Sequence, residues 1–77
     1  MDATIDLKLF ATLAAHSPHE TSRYPITSGM TVAHLIQLLQ IPPVSAKLIF
    51  VNGIRVDLET RLTGGERVGI FPPVGGG

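Results

Sequence analysis

At 77 residues the chain has room for one domain but not for a second core, and a domain of this size buries only about 60% of the surface its unfolded chain exposes. Zero cysteines exclude a disulfide, a thiolate metal site and a Cys nucleophile, while six basic and six acidic residues cancel to a net charge of +0, removing the electrostatic case for nucleic acid or an anionic membrane. Charged residues are only 16% of the chain, so either uncharged Ser, Thr, Gln and Asn cover the surface or an apolar docking face is left open for a protein or small molecule.

Thr4 to Phe10 alternates, with Ile5, Leu7 and Leu9 on one side and Thr4, Asp6 and Lys8 on the other, the pattern of a strand with one face on a core. The alternation loosens through Phe10-Ala11-Thr12-Leu13-Ala14-Ala15, about a turn of helix, before His16-Ser17-Pro18-His19-Glu20-Thr21-Ser22 breaks it. Arg23-Tyr24-Pro25-Ile26 reads as a short second strand that Pro25 confines to a sheet edge or a strand end. Thr31 then caps a helix whose Val32, Leu35, Ile36 and Leu39 recur at i, i+3, i+4 and i+7 on one stripe, and Pro42-Pro43 is expected to stop it.

Lys47 to Val51 is β-branched and aromatic, and Asn52-Gly53 after it is the strongest short-range hairpin signal, because both turn residues must take positive φ. Ile54-Arg55-Val56 is the returning strand. Asp57 to Thr63 is a polar connection expected to be anchored by Leu58 and Leu62. Gly64-Gly65 makes a further turn, and Glu66 to Phe71 closes the domain as a strand with Val68 and Ile70 inward. One helix with one apolar stripe needs a sheet to lie on, so the economical fold is α+β: a β-grasp (ubiquitin-like) roll with a mixed sheet of four to five strands packed on one main helix. Residues 1–71 form that domain and 72–77 a glycine-rich tail. No apolar run approaches the roughly 20 residues of a membrane span, and Met1-Asp2-Ala3 opens no signal peptide, so a soluble, cytoplasmic protein is expected.

Catalytic constellations are missing from the pattern. His16 and His19 have no acid or thiol cluster to complete a metal site beyond Glu20, and His34 lies off the apolar stripe. The acids are scattered and the serines lack a placed base. Gly64-Gly65 fits neither phosphate-loop spacing, and Tyr24, Phe50 and Phe71, considered as a stacking platform, are more simply packing residues. What remains is the terminus, Phe71-Pro72-Pro73-Val74-Gly75-Gly76-Gly77, where two prolines stiffen the exit and three glycines leave a thin end with nothing to bury.

Gly65 to Gly77, with its Phe-Pro-Pro-Val run and terminal Gly-Gly, resembles the closing segment of the small subunit of molybdopterin synthase, among the ubiquitin-like sulfur carriers. Phe10-Ala11-x-Leu13, Thr31-Val32 and Val51-Asn52-Gly53 match in order, although three glycines replace the common Ala-Gly-Gly and Ala14 to Ser22 carries a polar stretch where many relatives have a charged helix. The resemblance implies a carrier that is not an enzyme on its own and holds no cofactor. A ubiquitin-activating-like adenylyltransferase would use ATP on the Gly77 carboxylate, a persulfide donor would convert it to a thiocarboxylate, and the synthase large subunit would supply the catalytic residues. Phe71, Pro72, Pro73, Val74, Gly75 and Gly76 would engage the partner and Gly77 would carry the sulfur. Fully extended, Phe71 to Gly77 spans on the order of 20 Å, enough to reach a buried pocket. Two alternatives stand beside it: a carrier for another sulfur pathway or a ubiquitin-like modifier, and an interaction module with an inert tail.

Overall fold

The computed structural model describes residues 2–18 and 21–73. Strand β1 (Asp2–Leu9) turns Ile5 and Leu7 into the core and Thr4, Asp6 and Lys8 to solvent, as its alternation requires. It pairs antiparallel with β2 (Tyr24–Thr27) and parallel with β5 (Arg67–Phe71), which in turn pairs antiparallel with β3 (Leu48–Val51), itself paired with β4 (Ile54–Val56). The sheet order is β2-β1-β5-β3-β4, a mixed five-stranded β-grasp sheet with the first and last strands side by side at its centre. Pro25 lies in an edge strand, where its missing N–H leaves no ladder bond unmade.

One face of the sheet is covered by helix α1 (Val32–Leu38). Val32, Leu35, Ile36 and Leu39 are all buried with Ile5, Leu7, Ile49, Val68 and Ile70, each such side chain contributing about 1.5–3 kcal/mol on leaving water. The Thr31 hydroxyl accepts the His34 N–H at 3.2 Å, the expected N-cap. The helix does not run to the prolines. Its cap is Leu39, Gln40 takes a left-handed φ of 59°, the Gln40 N–H reaches the Gln37 carbonyl at 3.0 Å and the Ile41 N–H that of Ile36 at 3.2 Å. That is a Schellman ending, with buried Ile36 and Ile41 as its apolar pair. Pro42 follows an end that has already formed.

Two loops depart from expectation in instructive ways. The turn after β1 is a longer 3₁₀ helix, Ala11–His16, with Leu13 buried beneath it. In the segment after β4, Leu62 is fully buried but Leu58 is 39% exposed, so Leu58 is not a side-chain anchor. The anchoring is done by backbone: the Leu58 and Thr60 carbonyls accept the Ala33 and Val32 N–H groups of the first helical turn, at 3.0 and 2.9 Å.

The turn into β5 is closed by Glu66. Its carboxylate accepts from the Thr63 N–H (2.8 Å), the Gly64 N–H (2.7 Å) and the Thr63 hydroxyl (3.1 Å). Partial burial alone raises its pKa, but the hydrogen bonds outweigh that and the net direction is down from 4.5. Gly64 is required here: φ is +124°, and a Cβ would stand 2.7 Å from the Ala3 Cβ.

Candidate functional site

Strand β5 delivers the chain to the tail. Its inward residues, Val68 and Ile70, are 1% and 0% exposed, which leaves Arg67, Gly69 and Phe71 on the opposite face, away from the helix. The Phe71 carbonyl accepts the Lys47 N–H at 2.9 Å, so the last strand residue is held by its backbone up to the point of exit. Pro72 is half-buried beside it and Pro73 is exposed. Of the residues expected at the site, Phe71, Pro72 and Pro73 are therefore placed, whereas Val74, Gly75, Gly76 and Gly77 lie outside the described residues. The same holds for His19 and Glu20, so the His16 and His19 pair is only half described.

Three aromatic side chains meet on this outer face. Phe10 lies flat on Phe71, ring centroids 4.1 Å apart and planes within 3°, and Phe50 meets Phe71 edge-on at 5.6 Å and 80°. All three are half-buried, and they line a shallow depression of about 510 Å³ with Asp6, Lys8, Arg67 and Gly69 around it. Register explains the assembly. Phe50 stands opposite Gly69, Leu48 opposite Phe71 and Lys8 opposite Gly69 on the other side, so the glycine leaves a hollow into which the rings fall. Tyr24, set aside with Phe50 and Phe71 as a packing residue, is elsewhere and does pack: it pairs with inward-facing Ile5 and lies against the core from the edge strand. Phe10 was not expected, because nothing in a local pattern shows that a residue leaving β1 folds back over β5.

The charges on this face are lopsided. Lys8, Arg67 and Arg55, which stands opposite Phe50, are cationic, and Asp6 opposite Arg67 is the acidic neighbour. The face therefore has an apolar centre of three rings and a rim that carries three cations and one carboxylate. Among the described residues no group of three or more His, Cys, Asp or Glu side chains could hold a metal, and no helix is long and apolar enough to cross a membrane.

The closing staple of the hairpin was also partly hidden. Asn52 and Gly53 take φ of 54° and 82°, as an Asn-Gly turn demands. Beyond that, the Asn52 side-chain oxygen accepts the Arg67 N–H at 2.9 Å while the Asn52 N–H donates to the Arg67 carbonyl at 2.8 Å. One residue both turns the hairpin and ties it to the tail-bearing strand.

Among solved structures, the solution structure of the Haloferax volcanii HVO 2177 protein superposes with a TM-score of 0.77 at 22% identity, over 99% of this chain and 88% of that one, a likeness of fold. The crystal structure of SAMP1 from Haloferax volcanii gives a TM-score of 0.68 at 25% identity, over 97% of this chain and 100% of that one. Among curated proteins none matches the sequence. A model of one family does match, and it runs through the aromatic exit to the last glycine, over residues 7–77; the chain belongs to the ThiS family.

Proposed function

We propose that this protein is a sulfur carrier whose Gly77 carboxylate is adenylated, converted to a thiocarboxylate and presented to a partner enzyme for sulfur transfer in molybdopterin biosynthesis, as the small subunit of the synthase. The observation that carries this reading is the Phe-Pro-Pro-Val-Gly-Gly-Gly ending issuing from the central strand of a ThiS-family domain, beside an apolar face. The chemistry follows from the group. A carboxylate with an ordinary pKa near 3.5 is an anion at neutral pH and a poor acyl electrophile. Adenylation replaces an impossible leaving group with AMP; the outer sulfur of the donor's persulfide then displaces AMP to give an acyl disulfide, and a second thiol on the donor side cleaves that S–S bond, forming a disulfide and leaving the thiocarboxylate. The carried sulfur sits on the backbone terminus, so a chain without cysteine is sufficient for it.

In this reading residues 1–71 are the domain, 72–77 the delivered tail, and the outer sheet face at Phe50 the surface that docks the adenylyltransferase and the large subunit in the cytoplasm. Glycines let a channel close on the backbone, and Pro72-Pro73 lowers the entropy lost on threading. Intact-mass analysis of the protein from its host is expected to show the terminal oxygen replaced by sulfur. Deleting Gly77, or Gly76→Phe, is expected to abolish sulfur transfer with the fold unchanged by circular dichroism; transfer that survives either change overturns the proposal.

A second reading, a ubiquitin-like modifier or a carrier for a different acceptor, keeps the same tail chemistry. The likeness to SAMP1 keeps it in view, since it spans both chains almost entirely. Isopeptide-linked conjugates in cells, or failure to reconstitute with a synthase large subunit, would favour it.

A further inference from the structure

Phe10 and Phe71 are far apart in the chain, yet the flat stack between them joins the exit of β1 to the exit of β5. Several independent features produce that contact. Ala11 takes a left-handed φ of 53°, a conformation that costs a residue with a Cβ about 1–2 kcal/mol, and this reversal follows immediately after Phe10. The Phe10 N–H donates to the Ile70 carbonyl at 3.1 Å, and the Leu13 N–H returns to the Phe10 carbonyl at 3.0 Å with Leu13 buried below. Gly69 provides the floor: a Cβ there would lie 3.3 Å from Phe10 Cε2 and 3.8 Å from Phe71 Cε1, so a larger side chain displaces the ring. On its other side Phe71 is fixed by the Lys47 amide and the edge of Phe50.

We propose that Phe10, seated on Gly69, is a positioning residue for the tail: it clamps Phe71 so that Pro72 leaves the domain in one direction, and thereby sets the rate at which the terminus reaches a partner's reacting atoms. The inference rests on the carrier reading for its functional half. A terminus tethered in one direction explores fewer wrong orientations, and misplacement of a reacting group by about 1 Å can cost on the order of a hundredfold in rate. A strained Ala11 and an unsubstituted Gly69 in mid-strand are both unfavourable locally, and the clamp gives each a reason to be there.

The test needs two readouts on the full-length protein. Hydrogen exchange of the Lys47 amide reports whether Phe71 stays docked, and the Asn52 amide, bonded to Arg67 at the other end of β5, is the control. With Phe10→Ala or Gly69→Val, Lys47 exchange should rise about tenfold while that of Asn52 holds, and kcat for adenylation of the C-terminus should fall about tenfold with KM nearly unchanged. Phe10→Tyr, which keeps the flat ring, should behave as wild type. Gly69→Val raises strand propensity, so a merely structural role for Gly69 gives no selective loss at Lys47. The proposal is overturned if Lys47 and Asn52 lose protection together, if Lys47 is unaffected, or if KM alone rises. A wild-type protein that is never adenylated defeats the carrier reading instead, and the exchange measurement still decides whether the clamp exists.

Discussion

Gln40 holds a left-handed conformation that glycine adopts without steric penalty, on the surface at the end of α1. Gln40→Gly removes about 1–2 kcal/mol of backbone strain and adds back about 0.5–1 kcal/mol of unfolded-state entropy, so a net gain near 0.5 kcal/mol is expected. In a domain of this size that raises Tm by about 3 °C in a calorimetric scan. Glu66 works the other way, because its carboxylate is already matched to three donors. Glu66→Gln keeps one acceptor but turns an NH₂ toward an amide N–H, a loss of about 1 kcal/mol at neutral pH. Since folding lowers this pKa, the charged form is favoured in the native state: the stabilisation is complete above the unfolded value near 4.5 and fades as pH falls through the lower folded value. Urea titrations of both proteins from pH 7 to pH 3 should therefore show the gap between wild type and variant closing below about pH 4.

The elements that a short window can specify were legible before the structure. Alternation placed β1 and the inward residues of β5, the i, i+3, i+4 stripe placed the buried face of α1, Thr31 its start, and Asn52-Gly53 the hairpin, while of the two places Pro25 allowed, sheet edge or strand end, β2 takes the edge. What escaped was set by partners distant in sequence or by backbone geometry without a residue signature. The end of α1 lacks the glycine that normally marks a left-handed cap, so the prolines beyond it are the stop signal the sequence carries. Leu58 looked like an anchor because it is leucine, but it is the carbonyls at 58 and 60, invisible in any hydrophobic pattern, that tie this segment to the helix. Phe10 sits at the point where strand alternation ends, and only the parallel pairing of β1 with β5 brings it over Gly69. The candidate site divides in the same way: its tail is readable as a terminus, whereas the surface beside that terminus exists only once five strands are ordered side by side.

Taken whole, the molecule assigns its two sheet faces different work. Inward residues Ile5, Leu7, Ile49, Val68 and Ile70 close the core with α1, and outward residues Phe50, Phe71, Lys8, Arg55 and Arg67 are free to meet a partner because folding does not depend on burying them fully. Phe50 is the sharpest probe of that division. It touches Phe71 only edge-on, leaving the flat stack to Phe10, and it lines the apolar centre of the depression, the position where an aromatic residue typically dominates an interface. On the proposed carrier reading, Phe50→Ser should weaken the complex with the adenylating enzyme or the sulfur-accepting subunit about 10- to 30-fold by titration calorimetry, the loss expected of an interface anchor worth about 1.4–2 kcal/mol. Thermal stability should change by no more than about 1 kcal/mol, since the ring is outside the core. Set against Phe10→Ala in the same adenylation assay, the two variants separate docking from delivery: Phe50→Ser should raise KM and spare kcat, and Phe10→Ala should do the reverse. If Phe50→Ser binds its partners as wild type does, the outer face is not the docking surface. If it unfolds, the two faces of the sheet are not the independent surfaces that their burial indicates.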